Sequence, residues 1–214
     1  MRTRLSFIRT LLLFAAFSCG TPLPLRAQAA ASPAPPPAAP SVAPAEKLDI
    51  PGIANAGRVN PLLYRGAQPH PAGYDELQRM GISIVIDLHN RGDESLEERR
   101  AVESRGMRYV SIPASSYSGP TLDQIAEFLT LLRDSPARKI FVHCKHGADR
   151  SGVIIAAFRM MQEHWTPDQA MAEMLSFHFH RFWLPAMSHT VRDFPKSYQT
   201  SPAFAALRTA ASSH

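Results

Sequence analysis

In the stretch FVHCKHGADRSG, residues 141–152, an apolar run and one histidine lead into a cysteine, and an arginine stands six positions later. A glycine-containing loop between a strand and a helix turns successive backbone N–H groups inward, making an anion nest at the positive helix end. Phosphate fits such a nest. A cysteine at its floor feels the same field, which lowers its pKa and holds it as the thiolate, the form that attacks. Arg150 can grip two phosphate oxygens bidentately and stay with them during transfer. Gly147 lets the backbone turn without a side chain filling the cradle. Ser151 can donate a hydrogen bond to the sulfur as it leaves, and His143 can hold the loop and the cysteine backbone in place. The chemistry that suits these residues is covalent: attack by sulfur, then hydrolysis of a phosphocysteine. It calls for no cofactor and no metal.

Such a loop works only if a strand ends at Cys144 and a helix begins just beyond. KIFVH (139–143) reads as that strand, and 151–164 as a buried helix, apolar nearly all round. Upstream, GISIVIDL (81–88) places Ile82, Ile84, Ile86 and Leu88 on one strand face, with Val85 on the other. MRYVSI (107–112) is a further strand. Ser95 with Glu98 reads as a capping box opening a helix that Gly106 ends. Thr121 with Gln124 is a second box, leading Leu122, Ile125, Leu129 and Leu132 along one helical face. Thr166-Pro167-Asp168-Gln169 caps another helix, with proline at its favoured first position. The alternation predicts a three-layer α/β domain, a mainly parallel sheet with helices on both faces. Ligands bind such sheets beyond the carboxyl ends of the strands, where Cys144 stands.

The domain is expected over 47–205, with a tail over 206–214. Before it, Arg2, Arg4 and Arg9 precede the short apolar run LLLFAAFSC, as in a secretory signal over residues 1–29 with a small-x-small site at Ala27-Gln28-Ala29. Lipid attachment at Cys19, which would tether the chain to a membrane, is the alternative route; its bulky Phe17 and missing aliphatic make a poor lipobox. An uncleaved anchor is the third. Residues 30–46 are an alanine- and proline-rich spacer without apolar periodicity. Removing the leader takes away four arginines and no acid, so the formal charge falls from +5 to +1. No basic stripe remains for nucleic acid. An exported, periplasmic or secreted monomer is expected.

His143-Cys144, five residues, then Arg150-Ser151-Gly152 resembles the signature of the cysteine-dependent protein tyrosine and dual-specificity phosphatases. The likeness runs more loosely through VNPLLYRGAQP (59–69), GISIVIDLHNRGDE (81–94) and AMAEMLSFHFH (170–180), and so covers most of the domain. It implies a phosphatase-like fold and a phosphorylated protein, phosphoinositide or inositol phosphate as substrate. It also implies substrate binding by Lys145, His146, Gly147, Ala148 and Arg91, with Arg65 and Gln68 in stretches that border the pocket in relatives. Cationic side chains at 145 and 146 favour multiply phosphorylated headgroups.

The family pattern breaks at the general acid. Many relatives carry an aspartate on the loop after the strand that here ends near Ile112, typically three residues past a proline, and counting from Pro113 lands on Ser116. Asp149 and Asp123 remain: Asp149 as acid or as brace of the loop, Asp123 as acid or as stabiliser of a helix start. The histidines of FHFHRFW (177–183), with His189, match no strong metal spacing and read as an aromatic helix end packed on the core. Trp165, Trp183 and the methionines read as core too. Two other readings stay open: a sulfurtransferase, and a catalytically dead module that binds a phosphorylated ligand.

Overall fold

The computed structural model describes residues 43–89 and 92–211. The expected leader, most of the spacer and Arg91 lie outside the described residues. The chain runs β1 (Glu46–Ile50), β2 (Ile53–Arg58), β3 (Leu63–Ala67), α1 (Pro71–Arg79), β4 (Ile84–Asp87), α2 (Asp93–Glu103) and β5 (Arg108–Ser111). It continues through α3 (Leu122–Arg133), β6 (Ile140–Cys144), α4 (Asp149–Gln162), α5 (Pro167–Ser176), α6 (Pro185–Thr200) and α7 (Ala205–Ala211). The strands form one sheet in the order β1-β2-β3-β6-β4-β5. β3, β6, β4 and β5 are parallel, while β1 and β2 add an antiparallel edge.

Period-two alternation sends neighbouring strand residues to opposite layers. Ile84, Ile86, Val142 and Cys144 pack with Ile125 and Phe128 of α3, Ile154 of α4, Met171 of α5 and Val191 of α6. Val85 and Phe141 pack on the other face with Tyr74 and Leu77 of α1 and Val102 of α2. This is the predicted three-layer α/β architecture. Ile82 departs from the expected face: regular strand geometry starts only at Ile84, and Ile82 joins the α1–α2 layer.

Local capping follows the sequence at two helices of three. Thr121 with Gln124 and Thr166 with Gln169 form complete capping boxes. Ser95 with Glu98 does not. α2 starts at Asp93 with Gly92 at its cap, so Ser95 lies inside the first turn and its hydroxyl donates to Asp87 at 3.3 Å. Glu98 is buried instead, with Oε1 2.9 Å from Nε2 of the buried His143. The strands β1 and β2 carried little signal, being mostly exposed or half-buried at the sheet edge. Within the stretch expected as a tail, α7 packs against α3, and Leu207 is buried in the core.

α4 is buried along most of its length and includes one charge, Arg159, fully removed from water. Its Nη2 donates to Glu173 at 2.7 Å, Nη1 donates to Glu163, and the guanidinium lies 4.4 Å over the Trp165 ring. Glu173 also accepts from the Ala45 N–H at 2.7 Å, so one carboxylate joins α4, α5 and the start of the domain. Arg159→Met should therefore leave Glu173 buried and unpaired, lowering stability by about 3–5 kcal/mol. Urea denaturation checks this; an unchanged midpoint would show that the pair contributes nothing.

Candidate active site

The parallel strands end together. Ala67 of β3 pairs with Cys144 of β6, and Asp87 of β4 pairs with His143. The loop 145–148 then turns from β6 into α4. Gly147 makes the turn at φ +66°, and a Cβ there would lie 2.4 Å from the Gly66 carbonyl carbon and 2.5 Å from the Ala67 nitrogen. Only glycine lets the loop sit this close to β3.

Arg65 lies beneath the loop rather than at its rim. It is fully buried, its Nη2 donates to the carbonyls of Gly147 at 2.8 Å and Ala148 at 3.4 Å, and its guanidinium stacks 4.2 Å over Phe177. Burial lowers its pKa to about 10, against the opposing pull of Glu173 and Cys144. Because C=O and N–H point oppositely across a trans peptide, carbonyls drawn to Arg65 direct the N–H groups of Ala148 and Asp149 the other way. Those groups are available to an anion above the loop.

Cys144 is 2 % exposed, with its Sγ 3.5 Å from the Ser151 hydroxyl. Burial alone would raise the thiol pKa. Hydrogen bonds from the Ser151 side chain and backbone N–H, the charge of Arg150 and the backbone N–H of His146 outweigh it, and the pKa falls. Arg150 is itself 6 % exposed, and its Nη1 donates to the Leu88 and Ala114 carbonyls at 3.1 and 3.4 Å. It thereby ties the cysteine loop to the segments that follow β4 and β5. Lys145 and His146 are exposed on the outer edge, while Gly147 and Ala148 are buried and contribute backbone.

His143 is completely buried behind the cysteine. Its Nε2 lies 2.9 Å from Oε1 of Glu98, off the line of a good hydrogen bond, so the coupling is of charge to charge. Burial disfavours the imidazolium, yet Glu98, Asp87 and the Cys144 sulfur together raise the His143 pKa. Asp87 in turn accepts from Tyr109 Oη at 2.6 Å and from the His89 backbone N–H at 2.7 Å, with the His89 ring at 3.0 Å. Burial works against its charge, but these contacts hold its carboxyl well below the usual range. Glu98 accepts from Gln68 at 3.2 Å, and its charge faces the Tyr74 hydroxyl. Asp87, His89, Glu98 and His143 bring ligand-type atoms within 4.8 Å of one another. Their arrangement is two carboxylate–imidazole pairs.

The residues expected to act thus fall into distinct places. Cys144, Arg150 and Ser151 share one cradle with the loop backbone, and His143 lies below it. Asp149 accepts from the His180 N–H at 3.0 Å, and the His180 ring nitrogen lies 3.1 Å from the same oxygen. Gln68 reaches the second layer of charges and not the rim. Asp123 and Ser116 are exposed, Asp123 in the first turn of α3. Glu98 was concealed by its resemblance to a capping residue; Asp87, an acid ending a wholly apolar strand, did carry a signal. Trp183, expected in the core, is 84 % exposed, while Trp165 is buried. A separate cleft lined by Asn60, Leu63, Arg133, Ile140 and Phe158 lies at the opposite ends of β3 and β6, about 13 Å from Cys144 along the strand.

Residues 51–186 match the family described as a DSP-PTPase phosphatase fused to NAD+ kinase. The dual specificity protein phosphatase TpbA of Pseudomonas aeruginosa is 32 % identical over 181 residues, covering 81 % of this chain and 73 % of that protein. Dual specificity protein phosphatase 26 of Mus musculus is 32 % identical over 127 residues, covering 56 % of this chain and 58 % of its own. The crystal structure of P. aeruginosa TpbA in complex with pTyr superposes with a TM-score of 0.57 at 26 % identity, over 73 % of this chain and 94 % of that one.

Two substitutions test how the sulfur is kept charged. A hydrogen bond to a charged group is worth about 1.5–3 kcal/mol. Ser151→Ala should then raise the Cys144 pKa by about one to two units. Activity depends on the thiolate, present above that pKa and lost as pH falls through it, so the acidic limb of kcat/KM should move to higher pH. Glu98→Gln should move the same limb in the same direction without touching the loop, because His143 would lose the charge that retains its proton. A profile that drops in height without moving along the pH axis would contradict both.

Proposed function

Since the chain belongs to the dual-specificity and protein tyrosine phosphatase family, a hydrolase of phosphate esters, we propose that it is an exported cysteine-dependent phosphatase working through a phosphocysteine. The observation that carries this reading is a buried cysteine with a lowered pKa at the end of β6, beside Ser151 and six residues before a buried arginine. In the first step Sγ attacks phosphorus, the ester oxygen leaves with a proton, and Arg150 with the loop N–H groups holds the transferring oxygens. In the second, water attacks phosphorus and sulfur leaves as a thiolate, eased by the Ser151 hydroxyl. Phosphotyrosine is the first substrate class to test, since TpbA was solved in complex with pTyr. The exposed Lys145 and His146 support a second class, phosphoinositides and inositol phosphates. The leader over residues 1–29 supports export, and N-terminal sequencing of the mature protein should begin at Ala30.

Asp149 is assigned here as a brace. Its carboxylate is occupied by His180, joining the start of α4 to the segment after α5. The leaving-group proton then comes from Asp123 or from solvent.

Cys144→Ser should abolish turnover of aryl phosphate while vanadate still binds, since the nest and Arg150 remain; appreciable turnover would end the mechanism. For Asp149→Asn, a brace predicts equal losses on alkyl and aryl phosphates, because the cradle itself shifts. A loss of about 10²–10⁴-fold confined to the poorer alkyl leaving groups would instead make Asp149 the acid.

A further inference from the structure

Beside the cysteine loop, two short turns hold three large aromatic side chains out in solvent. Tyr117, Phe182 and Trp183 are 84 %, 87 % and 84 % exposed. Scattered exposed apolar residues are ordinary; three protruding rings on rigid supports are not. Tyr117 tops a turn closed by the Ser115–Gly119 bridge, where the Ser115 hydroxyl accepts from the N–H groups of Tyr117 at 3.2 Å and Ser118 at 3.1 Å. Phe182 and Trp183 top a second turn, in which the N–H groups of Trp183 and Leu184 donate to the His180 carbonyl at 3.0 and 3.1 Å. His180 is anchored to Asp149 at the start of α4. The turns lie side by side: a Cβ on Gly119 would come 2.8 Å from Cγ of Met187, in the first turn of α6.

The charge around these rings is mainly positive. Residues 112–122 and 177–192 contain no aspartate or glutamate. Arg181 is exposed, with its guanidinium 5.4 Å from the Phe182 ring centroid, and Lys145 is exposed on the cysteine loop. The acid anchoring the second turn, Asp149, is engaged by His180; Asp123, on the first turn of α3, is the exposed exception. Folding has fixed both backbones yet left the rings in water. A peptide partner would need a groove, and rings this exposed project instead of lining one. Protruding aromatics with an adjacent arginine suit a lipid interface, where rings enter the headgroup boundary and cations meet anionic phosphates.

We propose that Tyr117, Phe182 and Trp183, with Arg181 and Lys145, form a docking surface for an anionic lipid bilayer. Docking there brings the mouth of the cysteine loop to headgroup level. The contact is peripheral: no helix of the described residues is long and apolar enough to cross a membrane. The surface goes beyond the phosphatase reading and stands apart from it.

The chain contains two tryptophans, and Trp165 is buried, so a change in emission reports Trp183. Full-length protein is titrated with vesicles of phosphatidylcholine alone and of phosphatidylcholine mixed with phosphatidylglycerol. Trp183 emission should shift to the blue on the anionic vesicles, with quenching by lipids brominated on their acyl chains, and the shift should fade as salt is raised. Phe182→Ser should weaken binding by about tenfold or more. Arg181→Ser should remove most of the preference for anionic vesicles. Both variants should hydrolyse a soluble aryl phosphate at the parent rate, which separates failure of docking from failure of catalysis. Emission unchanged on every vesicle would overturn the proposal. So would co-sedimentation with Trp183 still in water, since another segment would then hold the chain.

Discussion

A thiolate that is almost wholly buried survives only if nearby positive charge and hydrogen bonds replace the water it has lost. The site around Cys144 depends on that substitution. Ser151, the loop N–H groups and Arg150 supply the inner layer. His143 supplies a second, and its own charge is unfavourable in the same dry interior unless Glu98 and Asp87 oppose it. The buried polar residues on β4, β6 and α2 thus form a chain of obligations. The sulfur needs the imidazolium, the imidazolium needs two carboxylates, and those need Tyr109, His89, Gln68 and Tyr74.

The fold meets these obligations by bringing the ends of parallel strands together. β6 lies between β3 and β4, so the cysteine loop has Gly66 and Ala67 on one side and Asp87 on the other. Arg65 rises from β3 to take the loop carbonyls, and its burial under Phe177 fixes the loop from below. Arg150 fixes it to the segments after β4 and β5 from above. A loop held from both sides is pre-organised, and the donors it presents need little reordering when charge develops on the phosphate.

What the sequence revealed and what it hid divide along a physical line. The nucleophile, the cradle and the flanking strand and helix are local, and their spacing in 141–152 was enough to read them. The apolar runs at 81–88 and 139–143 placed the parallel core for the same reason. Glu98 was misread because its partner, His143, lies 45 positions away and nothing local distinguishes a capping glutamate from a buried counter-ion. Arg65 was read as bordering the pocket because its stretch does so in relatives; it is instead buried under the loop, held by loop carbonyls and an aromatic face, with Glu173 and Cys144 as opposing charges. Trp183 was assigned to the core on its type alone. Its neighbours Phe177 and Phe179 are buried as expected, but the turn at 180–184 reverses the chain and leaves the last two aromatics outside.

The central claim is that the Cys144 sulfur becomes covalently attached to phosphorus during turnover. Rapid quenching of a reaction with aryl phosphate into alkaline denaturant, followed by proteolysis and mass mapping, tests it directly. The account predicts phosphate on the peptide containing Cys144 within the first turnover, appearing with the release of the first equivalent of phenol. Steady phenol release with that peptide unmodified at every quench time, or with the phosphate on another residue, would contradict it.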